Sequence, residues 1–188
     1  LEMKSDCLKT GSYLFNHEDK ITNRLVVNYL NKGANIVRFE IQAPENYDAR
    51  RDEFVGRTDI KVRSINWFLG NSDDYYIIEC KRIDGSKELN TKYVTEGVSR
   101  FISNPPKYYS VHNKNIMLGY VVSLINIPDN TDKIDQIQSE LLGGSFAVRH
   151  FVHCSKEEQY TYSYQYDLGA NCIELRHLFV NLANVIQS

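Results

Sequence analysis

The segment YYIIECKR, residues 75–82, sets a carboxylate and two cations at the end of an otherwise uncharged run. In a strand, residues i and i+2 share a face. Glu79 and Lys81 then point one way, and Ile78 and Cys80 the other. Two chemistries fit a carboxylate beside an ammonium. One is an ion pair on an exposed strand, worth at most about 1 kcal/mol. The other is a divided site, where the carboxylate holds a hard cation and the ammonium meets a negative substrate or orients a water. The four residues before Glu79 carry no charge, which disfavours an edge strand.

A second acid, Asp59 in GRTDIKV, stands 79 − 59 = 20 residues earlier. If Ile60 and Val62 face the core, Asp59 and Lys61 face the other way. The turn-like GNSDD, residues 70–74, lies between the two acids, so antiparallel neighbours joined there bring Asp59 and Glu79 together. Two carboxylates without a cation repel and raise one pKa. A divalent ion removes that penalty, and Mg²⁺ takes oxygen ligands, commonly one or two carboxylates with phosphate and water. The bland reading of Asp59 is a solvated strand residue beside Lys61. Glu18 precedes Ile21 by three and Leu25 by seven, so it shares their inward helical face. It either favours the helix dipole or leans over the sheet toward a metal.

The elements that must position these groups follow from periodicity. Residues 16–33 predict a helix with Asn16 as cap, Glu18 and Asp19 in its first turn, and Ile21, Leu25, Tyr29 and Leu30 on one face. Residues 34–43 alternate as a strand, 44–56 are polar and predict a loop, and 57–69 alternate again. Strand 75–82 comes next. Residues 88–103 predict a helix stopped by NPPKYY, where two prolines forbid continuation. The apolar run 115–127 predicts a central strand, and 128–144 a helix. Segments 145–155 and 158–168 predict strands joined through KEE, and 171–188 a closing helix. The first three strands predict an antiparallel meander and the strand after the crossover helix a parallel neighbour. The fold class is therefore α/β, a mixed central β-sheet flanked by helices, in a single domain spanning 1–188.

An Asp on one strand, a Glu-x-Lys on the next and a preceding helix carrying Glu resemble the PD-(D/E)xK nuclease superfamily, the restriction-endonuclease-like proteins. Here the motif reads Thr58-Asp59 … Glu79-Cys80-Lys81, with Thr where the family name has Pro, a position that varies in the superfamily. The resemblance covers about residues 14–125, with 126–188 as elaboration. It implies a restriction-endonuclease-like fold and Mg²⁺- or Mn²⁺-dependent hydrolysis of phosphodiester bonds in nucleic acid, DNA ahead of RNA. By the same resemblance Asp59, Glu79 and the Cys80 carbonyl hold the metal. Lys81 orients or activates water, and Glu18 is an accessory acid. A homodimer would supply the two sites that cutting a duplex needs. The alternative is a nuclease-like domain without turnover, used to bind nucleic acid or protein.

Further candidates lie nearby. Tyr93, Glu96, Gly97 and Arg100 fall at i, i+3, i+4 and i+7. A glycine inside a helix costs up to about 1 kcal/mol, which close packing on the sheet or a close phosphate would explain. Arg100, Tyr93 and Arg82 are candidate substrate contacts, with a surface Glu96–Arg100 pair the competing reading. Arg50, Arg51 and Arg57 interleave with Asp48, Asp52 and Glu53, as in a solvated loop. Tyr160, Tyr162, Tyr164 and Tyr166 form a row that could stack bases, with packing under the last helix favoured. His150 and His153 fall on opposite strand faces and make no metal pair.

The 188 residues carry a net charge of -2 and a pI near 6.2, so nucleic-acid binding requires a local basic surface. Cys7, Cys80, Cys154 and Cys172 form no CxxC pair, which argues against zinc and for free thiols in a reducing, cytoplasmic setting. No run approaches the roughly 20 apolar residues of a membrane span, and the first ten residues lack an apolar signal core.

Overall fold

A computed structural model describes residues 2–33, 36–65, 74–103, 106–108, 113–142, 149–154, 159–169 and 172–187, with the backbone alone at 46, 149–154 and 159. The turn expected at 70–74 lies outside the described residues except for Asp74, and the KEE connection lies wholly outside them.

Among the described residues, the strands are β1 Leu14–Phe15, β2 Val37–Ile41, β3 Pro44–Asp48, β4 Glu53–Arg57, β5 Ile60–Ser64, β6 Tyr75–Ile83, β7 Lys114–Val121, β8 Arg149–Cys154, β9 Gln159–Asp167, β10 Cys172–Asn181 and β11 Ile186–Gln187. Seven of them form one mixed sheet in the order β2-β5-β6-β7-β10-β9-β8. The meander is present: β2–β5 and β5–β6 are antiparallel, and β6–β7 is parallel through a helical crossover.

Helix α1 is Glu2–Thr10, which the sequence reading did not anticipate. Helix α2 runs over 18–33, with a π-helical turn at Val26–Leu30. Its N-cap is His17, not Asn16, and no side chain caps it. Asn16 accepts from Arg82 instead. The π turn widens the helix and shifts the phase of later residues. Val26 is therefore buried, while Tyr29 and Leu30 are only partly so. Helix α3 runs over 87–102, capped by Ser86, with a π turn at Tyr93–Val98. Helix α4 is Ile127–Leu141, capped by Asn126.

Two layers cover the sheet. Ile21, Leu25 and Met3 from α2 and α1 pack on Ile60, Ile78, Cys80, Leu118 and Tyr120. Val94, Phe101 and Ile134 from α3 and α4 pack on Ile77, Met117, Val121 and Phe179. The alternation of β6 and β7 between these layers is what a strand buried on both faces requires.

Two expectations are corrected, and the packed reading of the tyrosine row holds under a different helix. Residues 44–56 are not a loop: β3 and β4 form an antiparallel hairpin, with Tyr47 opposite Phe54. The closing helix expected over 171–188 is not formed by the described residues of that segment. Residues 172–181 form β10, parallel to β7 and antiparallel to β9, so this segment lies in the middle of the sheet. Leu175, Phe179 and Leu182 satisfy a helical spacing, but in the structure only Leu175 and Phe179 share a strand face, and Leu182, beyond β10, packs in the opposite layer. The open edge of β7 decided between helix and strand, and Gly119 leaves the room that the Phe179 ring fills. The tyrosine row of β9 faces the core: Tyr162, Tyr164 and Tyr166 are buried, and the latter two bond Asp135 and Gln138 of α4. No helix among the described residues is long and apolar enough to cross a membrane.

Candidate active site

Strand β6 outlasts its neighbour. The β5 ladder ends at Ile60 opposite Ile78, whereas β6 continues beside β7 to Ile83. Beyond Ile78, the edge of β6 facing β5 has lost its strand partner, and buried backbone donors must still be satisfied. Asp59, one residue before β5, accepts from the Cys80 amide at 2.7 Å through Oδ2. Glu18, the first residue of α2, accepts from the Arg82 amide at 3.0 Å through Oε2. The gap in the ladder thus brings two acids from different elements to one edge.

Lys81 Nζ lies where they converge. It is 2.7 Å from Glu79 Oε1, 3.1 Å from Glu18 Oε1 and 3.7 Å from Asp59 Oδ2. It also donates to the Cys80 carbonyl at 2.8 Å. Five groups named from the sequence, Glu18, Asp59, Glu79, Lys81 and the Cys80 carbonyl, therefore meet. The Cys80 thiol does not join them. It lies in the opposite layer, accepts from Tyr120, and burial pushes its pKa upward.

Glu79 is fully buried, and both its oxygens are engaged. Arg100 Nη1 lies 3.0 Å from Oε1, beside Lys81, and the Tyr108 hydroxyl is 2.7 Å from Oε2. Arg100 also donates to the Tyr108 hydroxyl, which bonds the Arg57 carbonyl at 2.7 Å. Burial first and the Asp59 charge second raise the Glu79 carboxyl to about 7, against the pull of Lys81 and Arg100. Burial alone would lower the Lys81 pKa. The charges of Glu79, Asp59 and Glu18 reverse that, so its pKa ends above the ordinary 10.5. Lys81 is an ammonium throughout the neutral range. In this state it can hold an anion but cannot take a proton from water. Burial and the adjacent Glu79 raise the Tyr108 hydroxyl, which stays a neutral donor.

The π turn of α3 sorts the other candidates. Arg100 reaches the site. Gly97 lies directly over it: a Cβ there would come within 3.4 Å of Lys81 Cγ and 2.5 Å of Met117 Cε. Close packing on the sheet accounts for this glycine. Glu96 is exposed and makes no pair with Arg100 at the site. Tyr93 is not at the site. It is fully buried, stacks on Phe179 and bonds His177 Nδ1 at 2.9 Å, so a substrate contact through its hydroxyl is ruled out in this packing. Arg82 flanks the site, where its guanidinium donates to the carbonyl and Oδ1 of Asn16, both at 2.9 Å, and ties the start of α2 to β6. Tyr108 was missed by the sequence reading. It follows two prolines in a segment read as a simple helix stop, and no local pattern marks it.

Among the described residues, no group of three or more His, Cys, Asp or Glu is arranged to hold a metal by itself. An ammonium stands at the point to which the oxygens turn. The donor set, carboxylates and one carbonyl, is nevertheless the hard-oxygen chemistry that Mg²⁺ and Mn²⁺ select. Comparison with protein-family profiles, curated proteins and solved structures finds no match for this chain.

Proposed function

We propose that this protein is a metal-dependent nuclease of the PD-(D/E)xK type, with a restriction-endonuclease-like fold, hydrolysing phosphodiester bonds in nucleic acid, DNA ahead of RNA. The observation that carries the reading is the convergence of Glu18, Asp59, Glu79 and the Cys80 carbonyl on a single cation, the Lys81 ammonium. Oxygens from four residues already turn to one positive centre. Asp59, Glu79 and the Cys80 carbonyl would hold Mg²⁺ or Mn²⁺ once Lys81 swings aside, with Glu18 as accessory acid. The bound ion would lower the pKa of water and screen charge growing on the phosphate.

The chain's own groups divide the remaining tasks. Lys81, displaced toward solvent, sets its ammonium against the scissile phosphate. Arg100 keeps a second positive charge beside Glu79, and Tyr108 fixes the plane of that carboxylate. Deprotonated Glu79 is the ligand form, so the site works above the pH at which that carboxyl ionises.

A second reading is a nucleic-acid- or protein-binding domain without turnover. It is favoured by the same ammonium: Lys81 neutralises the acids with no metal present. Calorimetry with Mn²⁺ on wild type and Asp59→Ala separates the two. The nuclease reading expects binding in the first and loss in the second. Equal binding, or none in either, removes it. Supercoiled plasmid should be nicked by wild type and left intact by Glu79→Ala and Lys81→Ala.

A further inference from the structure

We propose that the β3–β4 hairpin is a grip for single-stranded nucleic acid, in which an unpaired base stacks on the exposed Tyr47–Phe54 pair. Tyr47 and Phe54 are cross-strand partners, 54% and 56% exposed, with ring centroids 5.3 Å apart at 60°. Exposing two aromatic rings side by side forgoes the burial such residues ordinarily gain. Tyr47 is also held in place, because its hydroxyl donates to Asp52 at the hairpin tip.

The hairpin is anchored at its root. Lys61 of β5 pairs with Glu45 at 2.6 Å, both nearly fully buried, and lies over the Tyr75 ring, whose hydroxyl also donates to Glu45. Thr58 donates to the Ala43 carbonyl at 3.0 Å. Gly56 shares the strand face of Phe54, and a Cβ there would meet the Lys107 carbonyl at 3.1 Å and the Tyr108 ring at 3.4 Å. That same Tyr108 holds Glu79. Phe54 therefore lies two residues, about 7 Å of strand rise, from the wall of the candidate active site.

Charge selects the class of nucleic acid. Arg50, Arg51 and Arg57 are balanced by Asp48, Asp52 and Glu53, and Arg51 is shared between Asp48 at 3.7 Å and Glu53 at 3.6 Å. Duplex binding draws on many phosphate contacts from a basic stripe, which this hairpin lacks. Stacking needs only an exposed base and an exposed ring.

The location beside the site rests on the nuclease reading, whereas the test does not. A fluorescein-labelled single-stranded oligodeoxynucleotide is titrated with the full chain in EDTA and followed by anisotropy, so that binding is read without cleavage. Phe54→Ala and Phe54→Leu should each weaken binding about tenfold, and Phe54→Trp should retain it. Leucine keeps the bulk and removes the π face, which separates stacking from folding. The same oligonucleotide annealed to its complement should bind more weakly than the single strand. Phe54→Leu binding like wild type, a preference for duplex, or no binding by wild type overturns the proposal. So does a dimer in sedimentation that Phe54→Ala dissolves, which assigns the pair to a second copy. Absence of Mn²⁺ binding with these results intact removes the catalytic reading and leaves the grip.

Discussion

Glu79 offers the sharpest test of the site's electrostatics. Its carboxyl is raised from the ordinary 4.5 to about 7, by burial first and by Asp59 second. A tenfold change in proton affinity is about 1.36 kcal/mol, so the shift corresponds to about 3 kcal/mol. The sign follows from where the proton is held. Between pH 4.5 and 7 the folded chain keeps a proton that the unfolded chain releases. Stability from this group is complete below 4.5 and is lost as pH rises through 7. Glu79→Gln keeps the shape and removes the titration. Wild type should therefore lose about 3 kcal/mol relative to Glu79→Gln between pH 4.5 and pH 8, in metal-free buffer. Urea unfolding followed by circular dichroism at both pH values measures it, and the difference between the two proteins cancels groups that titrate in both. A difference that stays flat across this range, or that favours wild type at pH 8, refutes the claim that Glu79 is held ionised at a cost by its surroundings. Mn²⁺ at pH 8 should recover most of the loss in wild type and none in the variant.

Tyr108→Phe removes the single hydroxyl proton shared between buried Glu79 and the Arg57 carbonyl, and should cost about 1–2 kcal/mol in urea unfolding; an unchanged midpoint would show that the hydroxyl is dispensable. Gly119→Ala puts a Cβ 2.5 Å from Cδ1 of the buried Phe179 ring, and the melting temperature should fall by the equivalent of about 1–3 kcal/mol. An unchanged melting temperature would mean that the Phe179 ring repacks freely. Lys61→Met leaves Glu45 buried without its cation and should cost about 3–5 kcal/mol, whereas Lys61→Met with Glu45→Leu should recover most of it. Equal losses in both would place the cost in packing and not in charge.

The sequence by itself determined what local spacing encodes. Alternation marked β5, β6 and β7, and residues at i and i+2 put Glu79 and Lys81 on one face. The short link between β5 and β6 made them antiparallel and carried Asp59 toward Glu79. Helical periodicity set Glu18 at the start of α2 above the sheet. These are short-range properties, legible because strand and helix periods fix direction within a few residues.

The tertiary structure decided the rest, and in each case a partner remote in sequence supplied the reason. Residues 172–181 could have coiled. They became β10 because β7 and β9 offered two open ladders and Gly119 left a slot for Phe179. Residues 44–56 are polar enough for a loop, yet Lys61 and Tyr75 give Glu45 a buried partner and fix a hairpin. Tyr93 and Arg100 looked equivalent on a helical wheel. The π turn sent one into the core with His177 and the other to Glu79. Tyr108 joined the site from beyond two prolines, where no period runs. The site closes around Lys81 because β5 stops short of β6, and where a strand loses its neighbour is settled by the whole sheet and not by the strand.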